Sequence, residues 1–319
     1  MTTYAIHHQT RYRYSAYVSE SVMEARMQPR NDAGQTCHSF RLTVSPRALI
    51  HSYTDHMGNS VHWFNVPSKQ GQLVMRADSL VEVQSWDPGL LIPDEADWLA
   101  LDHLRKDPLY WDWLAPSHFA VQSEKLRHFA QSEGIQREKD PLRILYAINQ
   151  RIYDSFDYVP ASTAVDSPID VALATRRGVC QDYTHIFIGL ARSLGIPCRY
   201  VSGYLFHEDD RQDRSAQDAT HAWAEAFLPN HGWIGFDPTN NLVAQGRHIQ
   251  VAIGRDYADV PPTKGVYRGD ASSDLEVGVQ VTLAERPEPE EELIPTTGWI
   301  PPEDTQSEQQ RQQQRQQQQ

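Results

Sequence analysis

From Tyr183 to Leu194 the apolar residues Tyr183, Ile186, Phe187, Leu190, Ala191 and Leu194 recur at three- and four-residue spacing, the pattern of a helix with one buried face. Gly195-Ile196-Pro197 stops it. Upstream, Arg177-Gly178-Val179 marks the turn that delivers Cys180 to the helix start, and the rest of the chain is organised around this stretch. A cysteine there sits where unpaired backbone N–H groups and the helix dipole favour negative charge. Such surroundings activate a thiol as a nucleophile. The ordinary reading of a lone cysteine is a small buried core residue, and it is the downstream sequence that changes the balance.

Composition narrows the partners. The 319 residues suffice for two domains with cores of their own. A net charge of -13 speaks against nucleic acid or an anionic membrane, both of which need clustered Lys and Arg. No run of apolar residues is long enough for a membrane-spanning helix. Met1–His8 carries neither a basic nor an apolar region, so no signal peptide is expected. Three widely spaced cysteines, Cys37, Cys180 and Cys198, fit reduced thiols, and the expected location is cytoplasmic.

Read in order, residues 1–85 form an antiparallel, sandwich-like β module, with strands expected at Thr10–Val18, His38–Val44, Val61–Val66 and Gln72–Gln84. Residues 86–116 are a connector of short helices, punctuated by Pro88, Pro93, Pro108 and Pro116 and packed by Trp98, Tyr110, Trp111 and Trp113. Residues 117–285 hold the core. A helix is predicted over Ser117–Ser132, and a second starts with Asp140 as N-cap and Pro141 in its first turn. Ser167-Pro168 caps a short helix through Leu173. After the cysteine helix come a strand at Cys198–Phe206, a charged loop at His207–Asp218, and further strands at Ile249–Ile253, Val266–Tyr267 and Val277–Leu283 that complete a sheet. Residues 286–319 are a Pro/Glu-rich and then Gln-rich tail with too little apolar surface to fold. A second reading of its glutamines is as acyl-donor substrates.

Chemistry is expected at a hairpin. Thr220–Leu228 alternates His221, Trp223, Glu225 and Phe227 on one face with alanines and Leu228 on the other, Pro229–Gly232 turns, and Gly232–Thr239 returns. Antiparallel pairing then sets Asp237 opposite His221–Ala224. A thiolate that attacks a carbonyl needs a base, and the base needs a group that fixes its tautomer; His221 and Asp237 are the candidates. Singly, each has a plainer reading, a half-buried strand histidine and a turn-forming aspartate before proline. Metal spacing is missing from His7-His8, from His51 with His56 and from Cys180 with His185, and no EF-hand pattern occurs, so neither metal nor cofactor is expected.

The segments Gly178-Val179-Cys180-Gln181-Asp182, Thr220-His221-Ala222-Trp223-Ala224-Glu225 and Gly232-Trp233-Ile234-Gly235-Phe236-Asp237-Pro238-Thr239 resemble the three motifs of the bacterial transglutaminase-like superfamily. Phe156–Pro160 and Leu194–Tyr204 match as well, and His8–Tyr14, Gln28–Arg30 and Asp55–Asn59 resemble the N-terminal region of its bacterial members. The resemblance implies an α+β chain with a papain-like core, Cys180 as nucleophile, His221 as base and later acid, Asp237 as orienting carboxylate, and the Cys180 N–H in an oxyanion hole. It implies acyl transfer on amide bonds of a protein or peptide substrate through a thioester. Hydrolysis by a cysteine peptidase or amidase on the same fold stays open, as does a catalytically silent binding module.

Overall fold

Alternation in hydropathy understates the first strand. The computed structural model describes residues 1–32, 34–95, 97–208 and 212–285. In it β1 runs the whole of Thr2–Ala25, followed by β2 (Gln35–Ser45), β3 (Ile50–Thr54), β4 (Ser60–Val66) and β5 (Gln70–Val83). The residues before Thr10 hide the period because His8 is polar yet buried. Its Nδ1 lies 2.8 Å from Tyr204 Oη and its Nε2 3.1 Å from Thr10 Oγ1, so burial costs it no hydrogen bond. β3 lacks any alternating apolar signal, since four of its five residues are exposed.

Past the connector helices α1 (Asp97–Leu104) and α2 (Trp111–Leu114) lie α3 (Glu124–Ser132) and α4 (Pro141–Ser155). Three of the four connector aromatics pack as expected: Tyr110 meets Phe227, Trp113 meets Trp233, and Trp98 Nε1 donates to Glu138 O, whereas Trp111 is exposed. The predicted helix over Ser117–Ser132 begins only at Glu124. Ser123 Oγ accepts from Leu126 N as its cap, while Phe119 N is drawn off to Asp256 Oδ2 and Gln122 Nε2 to Gly189 O. Asp140 caps α4 as expected, accepting from Arg143 N at 2.9 Å. Ser167 does not cap the next helix, because its hydroxyl accepts from Ala164 N in the preceding turn.

The core continues through β6 (Asp157–Tyr158), α5 (Ile169–Thr175), β7 (Arg177–Gly178), α6 (Cys180–Ser193), β8 (Cys198–Leu205), β9 (His221–Leu228), β10 (Gly232–Asp237), β11 (Leu242–Val243) and β12 (His248–Gly254). Its antiparallel sheet has the order β11-β10-β9-β8-β12. Ala222, Ala224 and Ala226 of β9 face α6, joining Ile186, Phe187 and Leu190 in one apolar cluster. Their small side chains let the helix lie close to the sheet. α6 is buried well beyond its apolar face, and the buried Arg192 is satisfied by the carbonyls of Ala115, Cys198 and Arg255.

One expectation is corrected. β13 (Thr263–Arg268) and β14 (Ser273–Ala284) do not complete the core sheet. Both pair antiparallel with β1, β14 along Thr3–Tyr14 and β13 along Ser19–Ala25. β5 and β4 occupy one edge of β1, and the returning strands satisfy the backbone groups of the other. The end of the 117–285 stretch therefore belongs to the N-terminal sheets. Val279 also joins Tyr4, Ile6 and Val81 in the cluster that meets Tyr204, Ile249 and Val251 of the core. The Gln-rich tail lies outside the described residues.

Candidate functional site

Cys180 is held on both sides. Before it, β7 pairs in parallel with β6; after it, α6 begins. Asp182 ties the two together: its Oδ2 accepts from Val179 N at 2.9 Å and from Thr163 Oγ1 at 2.7 Å. That satisfies one of the orphan N–H groups at the helix start. As the first helical residue, Cys180 has an N–H without an intrahelical acceptor, and its side chain is half-buried.

The hairpin register is the one the turn residues imply. Gly232 pairs with Leu228 and Phe236 with Ala224, so Asp237 falls at the His221 end of β9. His221 Nε2 lies 2.8 Å from Asp237 Oδ2. With Nε2 so occupied, Nδ1 is the nitrogen left toward Cys180, and it has no other hydrogen-bond partner. Burial opposes a charge on His221, but the charge and hydrogen bond of Asp237, and then those of Cys180, outweigh it and raise the imidazole. Burial alone would push the Asp237 carboxyl up; the charge and hydrogen bond of His221, with the hydrogen bond of His248, hold it well below the usual carboxylate range.

Asp237 is also the turn-former that its place before Pro238 suggested. Its Oδ1 accepts from Thr239 N at 3.0 Å and Asn240 N at 3.3 Å, while Oδ2 also takes Asn240 Nδ2 at 2.8 Å. Asn240 reaches onward, its Oδ1 accepting from Arg214 N and its Nδ2 donating to Ser215 Oγ, which ties the loop before β9 to the carboxylate.

Sequence reasoning missed His248. Its Nε2 is 3.1 Å from Asp237 Oδ2, and its ring meets Trp223 edge-on at 5.1 Å. Nothing in the local sequence marks it, because a crossing segment, not a motif, brings β12 to this end of the sheet. The ligand atoms of His221, Asp237 and His248 lie within 4.8 Å of one another, close enough to grip a metal ion. Yet both histidines are bonded to Asp237, and the carboxylate has its acceptor capacity taken up by N–H donors, so the arrangement is closed as a hydrogen-bond network. His185 turns away from Cys180, its Nε2 accepting from Tyr257 N.

Three buried or half-buried phenols feel the charge of Cys180. Burial, then the charge of Cys180, raises Tyr158 to about 12 and Tyr200 well above the ordinary value; Tyr257 is raised to about 12, mainly by burial. All three stay protonated at neutral pH. A cavity of about 390 Å³ borders Trp223, Glu225, Trp233, His248 and Gln250, and one of about 720 Å³ borders Tyr4, His207 and Arg247. Neither includes Cys180 in its wall.

Comparison with known proteins supplies the family context. Residues 129–238 match the family model described as the transglutaminase-like superfamily, and residues 4–82 that of the bacterial transglutaminase-like N-terminal region. An uncharacterized protein of Mycobacterium leprae is 32% identical over 276 residues, covering 86% of this chain and 96% of its own. The protein-glutamine gamma-glutamyltransferase of Pseudomonas aeruginosa is 32% identical over 145 residues, 42% of this chain and 22% of that one. A solved structure from Cytophaga hutchinsonii, described as a candidate cysteine protease, superposes with a TM-score of 0.68 at 22% identity over 90% of this chain and 92% of that one. At that identity the likeness is one of fold.

Proposed function

Because this chain belongs to the transglutaminase-like superfamily, we propose that it is a thiol-dependent acyltransferase acting on amide bonds of proteins or peptides, with Cys180 as nucleophile, His221 as base and acid, and Asp237 as orienting carboxylate. The observation that carries the proposal is the buried 2.8 Å contact between His221 Nε2 and an ionised Asp237, which leaves Nδ1 for the thiol. His221 holds the thiol proton on Nδ1 as an imidazolium, and the Cys180 thiolate attacks the amide carbon. The oxyanion so formed lies by the free N–H at the start of α6. Collapse breaks the C–N bond, the proton on His221 passes to the leaving nitrogen, and a thioester remains. A primary amine that attacks the thioester gives a new amide and restores the thiol.

Water as the acceptor is the second reading, and the half-buried position of Cys180 favours it, since a fully enclosed thioester is what keeps water out. The product is then a carboxylate, as in a peptidase or amidase.

The test is mass spectrometry of glutamine-containing peptides incubated with the protein, with and without a primary amine, beside Cys180→Ala. An amine adduct on glutamine is expected. Backbone cleavage or bare deamidation moves the assignment to hydrolysis, and turnover retained by Cys180→Ala overturns the nucleophile. The absence of product, together with a Cys180 that resists a thiol probe at neutral pH, favours a binding module on this fold.

A further inference from the structure

Asp237 serves two histidines. Its Oδ2 takes His221 Nε2 at 2.8 Å and His248 Nε2 at 3.1 Å, all three side chains being buried. An ionised carboxylate can only accept, so His248 Nε2 must carry a proton. Burial keeps the His248 ring neutral against the pull of Asp237. A neutral ring has a single N–H, which leaves His248 Nδ1 an acceptor, and Gln245 N faces it at 3.4 Å. In turn, His248 N donates to Gln245 O at 2.7 Å, so the short segment before β12 holds the ring from both sides.

We propose that His248 is a positioning residue for the reaction, a second imidazole whose Nε2–H shares the Asp237 carboxylate with His221, its tautomer set by the Gln245 N–H. This rests on the Cys180–His221–Asp237 reading. His248 does not touch the thiol; it acts through Asp237. A carboxylate that divides its charge among more donors holds the His221 imidazolium less tightly, so His248 moderates the base that a lone Asp237 would make too strong. Asn240 Nδ2 and the N–H groups of Thr239 and Asn240 fix the carboxylate's orientation without it. Removing His248 therefore takes one donor from the carboxylate without turning it.

The charged and titratable groups around this pair come from each neighbouring element: Cys180 from α6, Tyr158 from β6, His221 from β9, His207 after β8, and Arg247 beside His248 itself. Arg247 is neutralised by Asp213 at 2.8 Å. His207 is kept neutral chiefly by burial. Asp237, which His248 shares, thus remains the largest polar influence on His221, followed by Cys180.

The experiment follows alkylation of Cys180 by iodoacetamide against pH in the full chain, read at the level of the Cys180 peptide. Burial pushes the Cys37 and Cys198 thiols up to about 11 and about 12, which keeps them from competing. The wild-type profile should contain an alkaline step that His221→Gln abolishes; its absence overturns the catalytic reading before His248 is consulted. Given that step, His248→Leu should move it upward by about one pH unit, a tenfold change in the acid constant, while His248→Gln, which keeps an N–H donor, should restore the wild-type position. A step that stays put or moves down in His248→Leu, or a His248→Gln profile like that of His248→Leu, overturns the proposal. Should the leucine variant not fold, nitrogen-15 NMR of histidine-labelled wild-type protein decides: a neutral Nε2–H tautomer for His248 supports the proposal, and an Nδ1–H tautomer refutes it.

Discussion

Asp237→Asn removes a charge and half of an acceptor in one step. The new side chain can keep its oxygen toward the Thr239 and Asn240 N–H groups, but its NH2 then faces His221 Nε2, His248 Nε2 and Asn240 Nδ2, all donors to the native carboxylate. Hydrogen bonds to a charged group are each worth about 1.5–3 kcal/mol, and losing all three would approach the whole stability of a domain. His221 escapes by moving its proton to Nδ1, which lets Nε2 accept. His248 cannot do so freely, because Gln245 N already faces its Nδ1. With His221 rescued and the other two donors partly relaxed, the expected loss is about 2–4 kcal/mol. The rescue ruins the chemistry: Nδ1–H then faces Cys180 and no lone pair is left to take the thiol proton. By the logic of mis-set tautomers in Ser-His-Asp enzymes, turnover should fall roughly 10³- to 10⁴-fold. Urea unfolding with an unchanged m-value, paired with the rate of the Cys180-dependent product, measures both. A rate within tenfold of wild type, at an unchanged midpoint, would refute the assigned role of Asp237.

Stability should be greatest close to neutral pH. His221, raised from its ordinary 6.5 to about 10, contributes stability that is fully present below about pH 6.5 and lost as pH climbs through about 10. Asp237, held below its ordinary 3.8, contributes stability that is present above that value and lost on acidification. Below about pH 6.5 the histidines kept neutral by burial, His8, His185, His207 and His248, must also take up protons, so urea midpoints should peak near about pH 6.5 and fall on both sides, the alkaline limb flattening in Asp237→Asn; a wild-type midpoint that rises between about pH 8 and 10 would contradict this. Gly203→Ala probes the close packing behind the site: a Cβ there would lie 2.1 Å from Ile249 O and 2.7 Å from the Trp223 ring. A loss of about 3 kcal/mol or more is expected in urea unfolding, and a change below about 1 kcal/mol would show that β8 and β12 part easily.

Several features follow from local physics alone. Asp140-Pro141 announces a helix start because capping is settled within one turn, and that cap forms. The hairpin register follows from Pro229–Gly232 because a turn fixes which residues face each other. The β9 alternation sorts His221 and Trp223 from the alanines because strand side chains change face at each step. Where a residue's role depends on a distant partner, the reading fails. His8 looks like an interruption until Tyr204 is beside it. Ser123 caps α3 only because Phe119 and Gln122 are pulled away by Asp256 and Gly189.

By itself, the sequence determined that a cysteine opens a buried helix and that a histidine and an aspartate share one end of a hairpin, since periodicity, caps and turns act over a few bonds. Only the tertiary structure decided that β13 and β14 close the N-terminal sheets instead of the core, because a strand's own pattern does not say which open edge it will satisfy. It alone decided, too, that His248 shares the Asp237 carboxylate with His221. That contact depends on the path of the chain between β11 and β12, and a buried carboxylate collects its donors from whatever elements the fold brings past it.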